Sequence, residues 1–269
     1  MHNMTTVSII IPSRNEKYLK KTILSLLSNA KEQIEIIAVL DGYWMDSEDI
    51  VQDKRVNYIH YSEPRGMRNA INSAVKLSKG EYILKTDAHC MFSQGYDVGL
   101  KSRCNDNWII VPRRYRLDPE KWEILHDGRP PIDYMYLDNE LHGRIWDKYN
   151  NRELDYLMSS QGSCWFMKRS YFDELELMDE KHYGTFFGEF QEIGLKCWLS
   201  GGNVMVNKNV YYAHWHKPKD VGRGYSLNKE DGKKAEEYVK GWISKKMFDK
   251  QIYDFKWLID KFKPVPTWE

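Results

Sequence analysis

Residues 82–90 read Tyr-Ile-Leu-Lys-Thr-Asp-Ala-His-Cys, and this stretch decides the fold class. It begins with three apolar residues and runs directly into the triplet Asp87-Ala88-His89. Short apolar runs of this kind are typical of buried strands in parallel sheets, which collect ligands at the carboxyl ends of their strands. On an extended segment, residues two apart point the same way, so Asp87 and His89 can share one cation. The stretch therefore predicts a buried strand that ends in two metal ligands.

The chain before this stretch alternates strand and helix patterns. Buried strands are predicted at 7–11 and 34–40, with apolar residues at helical spacing over 19–27 between them. A third strand at 56–61 precedes a helical pattern over 70–77 that stops at a glycine. This alternation predicts a parallel sheet with flanking helices. The polar residues expected at the carboxyl ends of its strands are Ser13 to Glu16, Asp41 and Asp87.

The second half of the chain is less regular. Prolines interrupt the segment from about 105 to 160, and we interpret it as irregular structure on the acceptor side of the molecule. A strand is predicted at 164–167, and a helix over about 189–199 ends at Gly201-Gly202. The remaining expected elements are closing strands at 204–206 and 210–212 and two amphipathic helices at about 228–246 and 247–262.

Composition limits the class of protein. The 269 residues carry a formal net charge of +1, so no overall field attracts nucleic acid or membrane. The Lys-rich last sixty residues contain interspersed acids and read as a solvated helix face. Four cysteines without CxxC spacing argue against a zinc cluster and give no disulfide framework. Without an apparent signal peptide or membrane anchor, the sequence predicts a soluble, cytoplasmic protein.

A third metal ligand is expected from a later aromatic segment, residues 211–216, which contains His214 and His216. For His216, packing among its aromatic neighbours is the favoured interpretation. A divalent ion held in this way can bridge the oxygens of a diphosphate and stabilise it as a leaving group. Mixed oxygen and nitrogen ligands are compatible with Mn²⁺ and less natural for Mg²⁺, which is the alternative.

Three motifs in this order resemble those of the GT-A fold glycosyltransferases. Within them the chain is most similar to the catalytic domain of polypeptide N-acetylgalactosaminyltransferases, and more loosely to family 2 glycosyltransferases. The motifs are residues 79–90, residues 188–198 with Gly201-Gly202, and Ala213-His214, within a similarity over most of residues 5 to 217. The resemblance implies an α/β, Rossmann-like nucleotide-sugar-binding fold with a mixed, mainly parallel central sheet. It also implies a catalytic domain over 1–217, followed over 218–269 by a lid loop and C-terminal helices.

The resemblance also implies roles for individual residues. It favours His214 as the third ligand beside Asp87 and His89, and it gives Glu189 a hydrogen bond to sugar hydroxyls. Glu192 would lie near the reacting centre or support it, although acids near a helix start also favour the helix dipole. The loop from Lys217 to Tyr225 would be a mobile lid. The implied donor-binding residues are Pro12, Ser13, Arg14, Asn15, Glu16, Asp41, Arg65, Gly66, Arg68, Asn69, Gly162, Ser163, Arg223 and Tyr225, with surface charge as the alternative for Arg65 and Arg68.

Three functions remain open at this point. The first is a hexosyl- or N-acetylhexosaminyltransferase that moves a sugar from a UDP-sugar to a hydroxyl on a glycan or protein. The resemblance favours retention of configuration, with inversion by a carboxylate base in the Glu189 region, as in family 2 enzymes, as the alternative. The second is a viral DNA glycosyltransferase acting on hydroxymethylated pyrimidine bases, which the cluster Arg113-Arg114-Tyr115-Arg116 and the Lys-rich tail would suit. The third is a non-catalytic nucleotide-sugar-binding module, which the retained metal ligands disfavour.

Overall fold

A mixed sheet of ten strands is the centre of the computed structural model, which describes residues 6–218 and 220–268. Its strands lie in the order β10-β12-β6-β11-β4-β1-β2-β3, with β5 paired to β12 and β7 to β6, while β8 and β9 form a separate hairpin. The strands are β1 (Val7–Ser13), β2 (Ile34–Asp41), β3 (Val56–Tyr61), β4 (Tyr82–Thr86), β5 (Cys90–Phe92), β6 (Trp108–Asp118), β7 (Glu123–Ile124), β8 (Met135–Leu137), β9 (Gly143–Ile145), β10 (Leu154–Tyr156), β11 (Cys164–Lys168) and β12 (Asn203–His214).

Helices cover the sheet and extend the chain beyond it. They are α1 (Leu19–Asn29), α2 (Met67–Leu77), α3 (Tyr96–Lys101), α4 (Arg169–Glu174), α5 (Glu180–Tyr183), α6 (Glu189–Leu199), α7 (Lys229–Lys240) and α8 (Phe255–Phe262). Short 3₁₀ turns occupy Ser47–Asp49 and Gly241–Ile243. No helix in the described ranges is long and apolar enough to cross a membrane.

The first half of the chain forms the parallel part of the sheet, as predicted. Strands β3, β2, β1 and β4 are parallel neighbours. The side chains of β1 alternate between the two faces of the sheet. Ile10 packs in the core that contains α2, while Ile9 and Ile11 pack in the core that contains α1. With a helical layer on each face, the carboxyl ends of these strands are left as the open edge where a ligand can bind.

The second half departs from the sequence expectation. Strand β11 lies antiparallel between β4 and β6, so the sheet is mixed. The prediction of irregular structure over 105–160 was wrong for β6, an eleven-residue strand that includes Pro112. Pro112 is tolerated because its partner, Asn207, is the residue at which the register of β12 shifts. The two predicted closing strands are consequently one strand, β12, interrupted by this irregularity.

The C-terminal helices are shorter than predicted, because α7 ends at Lys240 and α8 begins only at Phe255. The buried residues Trp242, Leu258 and Phe262 belong to the same hydrophobic core as Trp198 of α6. The division of the chain at residue 217 remains a prediction, and residue 219 of the expected lid lies outside the described residues. The fold class is confirmed: an α/β structure with a mixed central sheet and a helical C-terminal region.

Candidate active site

Three side chains that can bind a metal converge at the carboxyl end of β4. Asp87 follows β4, His89 precedes β5, and His214 is the last residue of β12, which pairs with β5. One ligand atom from each residue lies within 4.8 Å of the others. The Nε2 atom of His214 is 3.2 Å from Nε2 of His89 and 3.3 Å from Oδ2 of Asp87. The structure therefore brings together the three residues that the sequence proposed as ligands.

The chemistry of this cluster fits a divalent cation. The Nδ1 atom of His89 lies 3.0 Å from Oε2 of Glu16, a contact that leaves the Nε2 lone pair directed at the cluster. Burial lowers the pKa of His214 to about 4, so its imidazole is neutral and able to bind metal near neutral pH. Burial by itself would raise the pKa of Asp87, but Lys85 and His214 hold that pKa well below its usual value. Mixed nitrogen and carboxylate ligands of this kind suit Mn²⁺.

Glu189, the first residue of α6, stands beside this cluster and is held by a buried lysine. The Nζ atom of Lys85 lies 3.0 Å from Oε1 of Glu189 and 2.8 Å from Oδ1 of Asp87, and it donates to the Gly162 carbonyl at 2.7 Å. The indole nitrogen of Trp165 donates to Oε1 of Glu189 at 2.8 Å. Burial raises the pKa of Glu189, an effect that the charge of Lys85 opposes. Lys85 and Trp165 thus hold the Glu189 carboxylate in place next to Gly162.

A cavity of about 770 Å³ opens onto the cluster and is large enough for a nucleotide-sugar. Its lining contains the three metal-binding candidates and Glu189. Many of the predicted donor-binding residues line it as well: Pro12, Ser13, Arg14, Glu16, Asp41, Gly162, Ser163, Arg223 and Tyr225. Asn15 is exposed beside the cavity but outside its lining, with a φ of 55°.

The structure separates Arg68 and Glu192 from this cavity. Arg68 was expected to bind the donor or to be a surface charge, and Glu192 to lie near the reacting centre or to support it. Both side chains are fully buried and form an ion pair with each other. Arg68 also donates to the Phe187 carbonyl, and Glu192 accepts from Lys196 at 2.9 Å and from the Asp179 backbone at 3.1 Å. Neither side chain lines the cavity, and in this structure the pair joins α2 to α6 beside the site.

The loop before α2 was expected to cover the nucleotide, but its side chains point elsewhere. Asp41 accepts from the backbone nitrogens of Arg65 at 2.5 Å and Gly66 at 3.0 Å, and this fixes the loop against β2. Arg65 lies over the Tyr61 ring, and Asn69 bonds to Glu180. Neither the loop residues Arg65 and Gly66 nor Asn69, in the first turn of α2, is in the cavity lining. The loop is therefore a support for Asp41 in this structure.

The expected lid contributes positive charge to the cavity rim. The guanidinium of Arg14 lies 4.2 Å from the centre of the Tyr225 ring, and that of Arg223 lies 4.9 Å from the Phe186 ring. Lys217 donates to Oε1 of Glu16 at 2.7 Å, which ties the lid segment to the carboxylate that contacts His89. These cations line the same cavity as the metal cluster, where their charge favours an anionic diphosphate.

The sequence profile of glycosyl transferase family 2 matches residues 8–176, more than half of the chain. The chain belongs to this family. The putative polypeptide N-acetylgalactosaminyltransferase 13 of Drosophila melanogaster is 26% identical over 227 residues, covering 74% of this chain and 40% of that protein. Glycosyltransferase GlyG of Streptococcus pneumoniae serotype 4 is 34% identical over 219 residues, covering 76% of this chain and 69% of GlyG.

Solved structures of the GT-A type share the fold. The crystal structure of GalNAc-T7 with UDP, GalNAc and Mn²⁺ has a TM-score of 0.77 at 16% identity, covering 97% of this chain and 57% of that chain. The structure of S. aureus TarS 1-349 has a TM-score of 0.54 at 16% identity, over 78% of this chain and 60% of that chain. The chain spans less than half the length of the Drosophila relative, so it corresponds to part of that protein.

Two residues that contact Glu189 in the structure were assigned no role from the sequence. Lys85 was quoted within the decisive stretch but given no role, because a lysine in a buried strand shows no partner until β11 and α6 are in place. Trp165 on β11 was taken as an ordinary strand residue, yet its indole fixes Glu189. The strand prediction at 164–167 could have raised this question, since polar indole nitrogens seek partners when buried.

The basic cluster that suited a DNA acceptor is not an exposed patch in the structure. Arg113 forms a two-point ion pair with Asp133, and Arg114 is buried with 4% of its surface exposed. In the Lys-rich tail, Lys234 and Lys240 pair with acids of the chain. Phosphate contacts along a duplex need free surface cations, so the structure does not favour the DNA alternative.

Proposed function

We propose that the chain is a metal-dependent glycosyltransferase that moves a sugar from a UDP-sugar to a hydroxyl acceptor with retention of configuration. One observation carries this proposal: the cluster of Asp87, His89 and His214 lies in the same cavity as Glu189, which Lys85 and Trp165 hold in place. The solved structure of GalNAc-T7, which has the same fold, contains UDP, GalNAc and Mn²⁺ and supports a donor of this class.

Each part of the cavity has a role in this reaction. A bound Mn²⁺ would stabilise the negative charge that develops on the leaving diphosphate. Arg14, Arg223 and Lys217 at the rim add fixed positive charge for the same anion. Pro12, Ser13 and Asp41, at the ends of β1 and β2, hold the nucleoside.

Glu189 binds the donor sugar in the proposed reaction. Its carboxylate already accepts from Lys85 and Trp165, so it is a fixed hydrogen-bond acceptor for sugar hydroxyls. Lys85 and Trp165 occupy both carboxylate oxygens of Glu189, and we therefore assign Glu189 to sugar binding rather than to the base of an inverting mechanism. We therefore propose that the acceptor oxygen attacks from the face of the leaving group, and that the departing diphosphate takes the acceptor proton.

The cysteines support a proposal for the compartment. Cys90, Cys104, Cys164 and Cys197 are buried free thiols. Thiols persist in a reducing environment such as the cytoplasm, whereas secreted proteins of this size often carry disulfides. We propose a reducing compartment, which a thiol titration of the freshly isolated protein under denaturing conditions would test by finding four reactive thiols.

The experiment for the activity measures release of UDP from a panel of UDP-hexoses and UDP-N-acetylhexosamines. We expect release in the presence of Mn²⁺ and its loss on adding EDTA. The variant Asp87→Asn should lose this activity, while Asp147→Asn, which alters an exposed carboxylate outside the cavity, should keep it. Absence of release from every donor, or release that EDTA does not affect, would contradict the proposal.

A further inference from the structure

Arg114 is a buried cation without an anionic partner. It lies on β6, has 4% of its surface exposed, and has no carboxylate within ion-pair distance in the ranges that the structure describes. Its Nη1 donates to Oε1 of Gln161, its Nη2 lies 3.6 Å from the Met135 sulfur, and its Nε is buried with no hydrogen-bond partner. A buried charge is costly unless an opposite charge compensates it, so this arrangement indicates a missing anion.

The Nε and Nη2 atoms of Arg114 form the edge of the guanidinium that other arginines of this chain use to bind carboxylates. On the adjacent residue, Arg113 holds Asp133 through its Nε and Nη2 atoms, at 2.7 and 2.6 Å. Arg55 holds Asp53 through the same two atoms, at 3.0 and 2.8 Å. In Arg114 this Nε–Nη2 edge faces only a methionine sulfur. The edge is suited to two-point binding of a carboxylate or a phosphate.

This edge lies immediately behind the wall of the active-site cavity. Both of the side chains that contact the Arg114 guanidinium, Gln161 and Met135, line the cavity. Arg114 pairs with Tyr212 of β12, whose hydroxyl lies 2.7 Å from that of Ser163 in the same lining. Met135 is a flexible side chain whose terminal methyl group packs closely against Gly143, where a Cβ would lie 3.3 Å from it. Met135 and Gln161 therefore separate the Nε–Nη2 edge from the cavity by a single layer of side chains.

The position of Arg114 in the sheet assigns the anion to the acceptor. The residues proposed for the nucleoside are at the ends of β1 and β2, whereas Arg114 lies on β6, beyond β4 and β11. Three strand spacings separate β1 from β6, a distance of about 14 Å. The metal cluster takes Asp87 from the end of β4 and His214 from the end of β12, and β12 is the neighbour of β6 on the side away from β1. A group bound at Arg114 therefore lies beside the metal cluster, on the side of the sheet formed by the second half of the chain and away from the nucleoside.

We propose that the Nε–Nη2 edge of Arg114 binds a carboxylate or phosphate group on the acceptor, so that this transferase acts on an anionic acceptor. The inference rests on the proposed function. Arg116, two residues further on β6, donates to the Pro130 carbonyl and forms no ion pair within the described part of the chain. It adds a second positive charge on the same strand face.

The wild-type chain tests this without any mutation. The protein is saturated with UDP and Mn²⁺, so that the donor site is filled. Calorimetry then compares methyl β-glucuronide with methyl β-glucoside, and glycerol 3-phosphate with glycerol. We expect the charged member of at least one pair to bind about tenfold more tightly or better, as for other charge-assisted hydrogen bonds. The pair that shows the larger difference identifies carboxylate or phosphate, and equal binding within both pairs would overturn the proposal.

Variants locate the effect at Arg114. Arg114→Met should abolish the preference for the charged member, and Arg114→Lys should keep only part of it, because lysine lacks the two-point edge. Arg113→Met is the matched control and should retain the preference, since Arg113 is already bound to Asp133. UDP affinity is measured for each variant. A loss of UDP affinity in Arg114→Met would assign the cation to the donor diphosphate and would refute the acceptor assignment.

The possible failures are distinguishable from one another. If no UDP-sugar is turned over with any acceptor, the proposed function fails. If donors are turned over but neutral and anionic acceptors bind equally, only the present inference fails. Thermal unfolding of each variant shows whether it is folded, and if Arg114→Met is not, Arg114→Lys and the wild-type comparison decide the outcome.

Discussion

Replacing Arg68 by methionine separates a structural role from a donor-binding role. Arg68 has no exposed surface, and its guanidinium binds Glu192 and the Phe187 carbonyl. Breaking a buried ion pair costs roughly 3–5 kcal/mol, because one charge is left buried and uncompensated. Lys196 still lies 2.9 Å from Glu192, which places the expected loss for Arg68→Met near the lower value, about 3 kcal/mol. For a chain of this size such a loss lowers the melting temperature by roughly 6–12 °C.

Urea unfolding followed by circular dichroism measures this loss, and calorimetry at a temperature where the variant is folded measures its affinity for UDP and Mn²⁺. We expect a lower free energy of unfolding and an unchanged UDP affinity. The double variant Arg68→Met/Glu192→Gln should recover part of the loss, because it removes the uncompensated carboxylate. Arg65→Met is the control: its exposed side chain lies three residues earlier, in the loop before α2, and its change should stay within about 0.5 kcal/mol. Unchanged stability together with weaker UDP binding in Arg68→Met would refute the reasoning and restore the donor contact.

Three further predictions follow from the geometry of the site and of the helix that supports it. Glu16→Gln weakens the carboxylate contact with His89 Nδ1 and should lower Mn²⁺ affinity by about 10–100-fold, measured by electron paramagnetic resonance; unaltered affinity would show that this contact does not orient the ligand. In Gly162→Ala the new Cβ would lie 2.1 Å from Oε2 of Glu189, so Glu189 must move, and turnover should fall by about 10²-fold while UDP affinity is retained; normal turnover would exclude Glu189 from sugar binding. In Gly202→Ala the new Cβ would lie 2.1 Å from the Tyr171 hydroxyl and 2.7 Å from the Asn107 carbonyl. We expect the free energy of unfolding, measured in urea, to fall by about 1–3 kcal/mol while turnover is unaffected. A stability equal to wild type would show that the end of α6 can relax.

The parallel half of the sheet and the order of the motifs can be predicted from the amino-acid sequence. Strands β1, β2 and β4 each contain a short apolar run, and such runs are typical of strands that are buried in a parallel sheet. Asp87 and His89 were recognisable because a spacing of two residues next to a strand is a local property. His214 lies far along the chain from Asp87 and His89, and it was favoured as the third ligand because of the family motif and not because of local geometry. All three lie within one cluster in the structure.

The tertiary structure alone decided which charged residues face the cavity. Arg68, Glu192, Lys85 and Arg114 are all charged residues in regular elements, and their sequence neighbourhoods do not distinguish them. The first two compensate each other inside the core, Lys85 joins Asp87 to Glu189, and Arg114 lies behind the cavity wall without an anion. The partner of a buried charge comes from a segment far along the chain, 124 residues away for Arg68 and Glu192, and only the packing of strands and helices brings the two together.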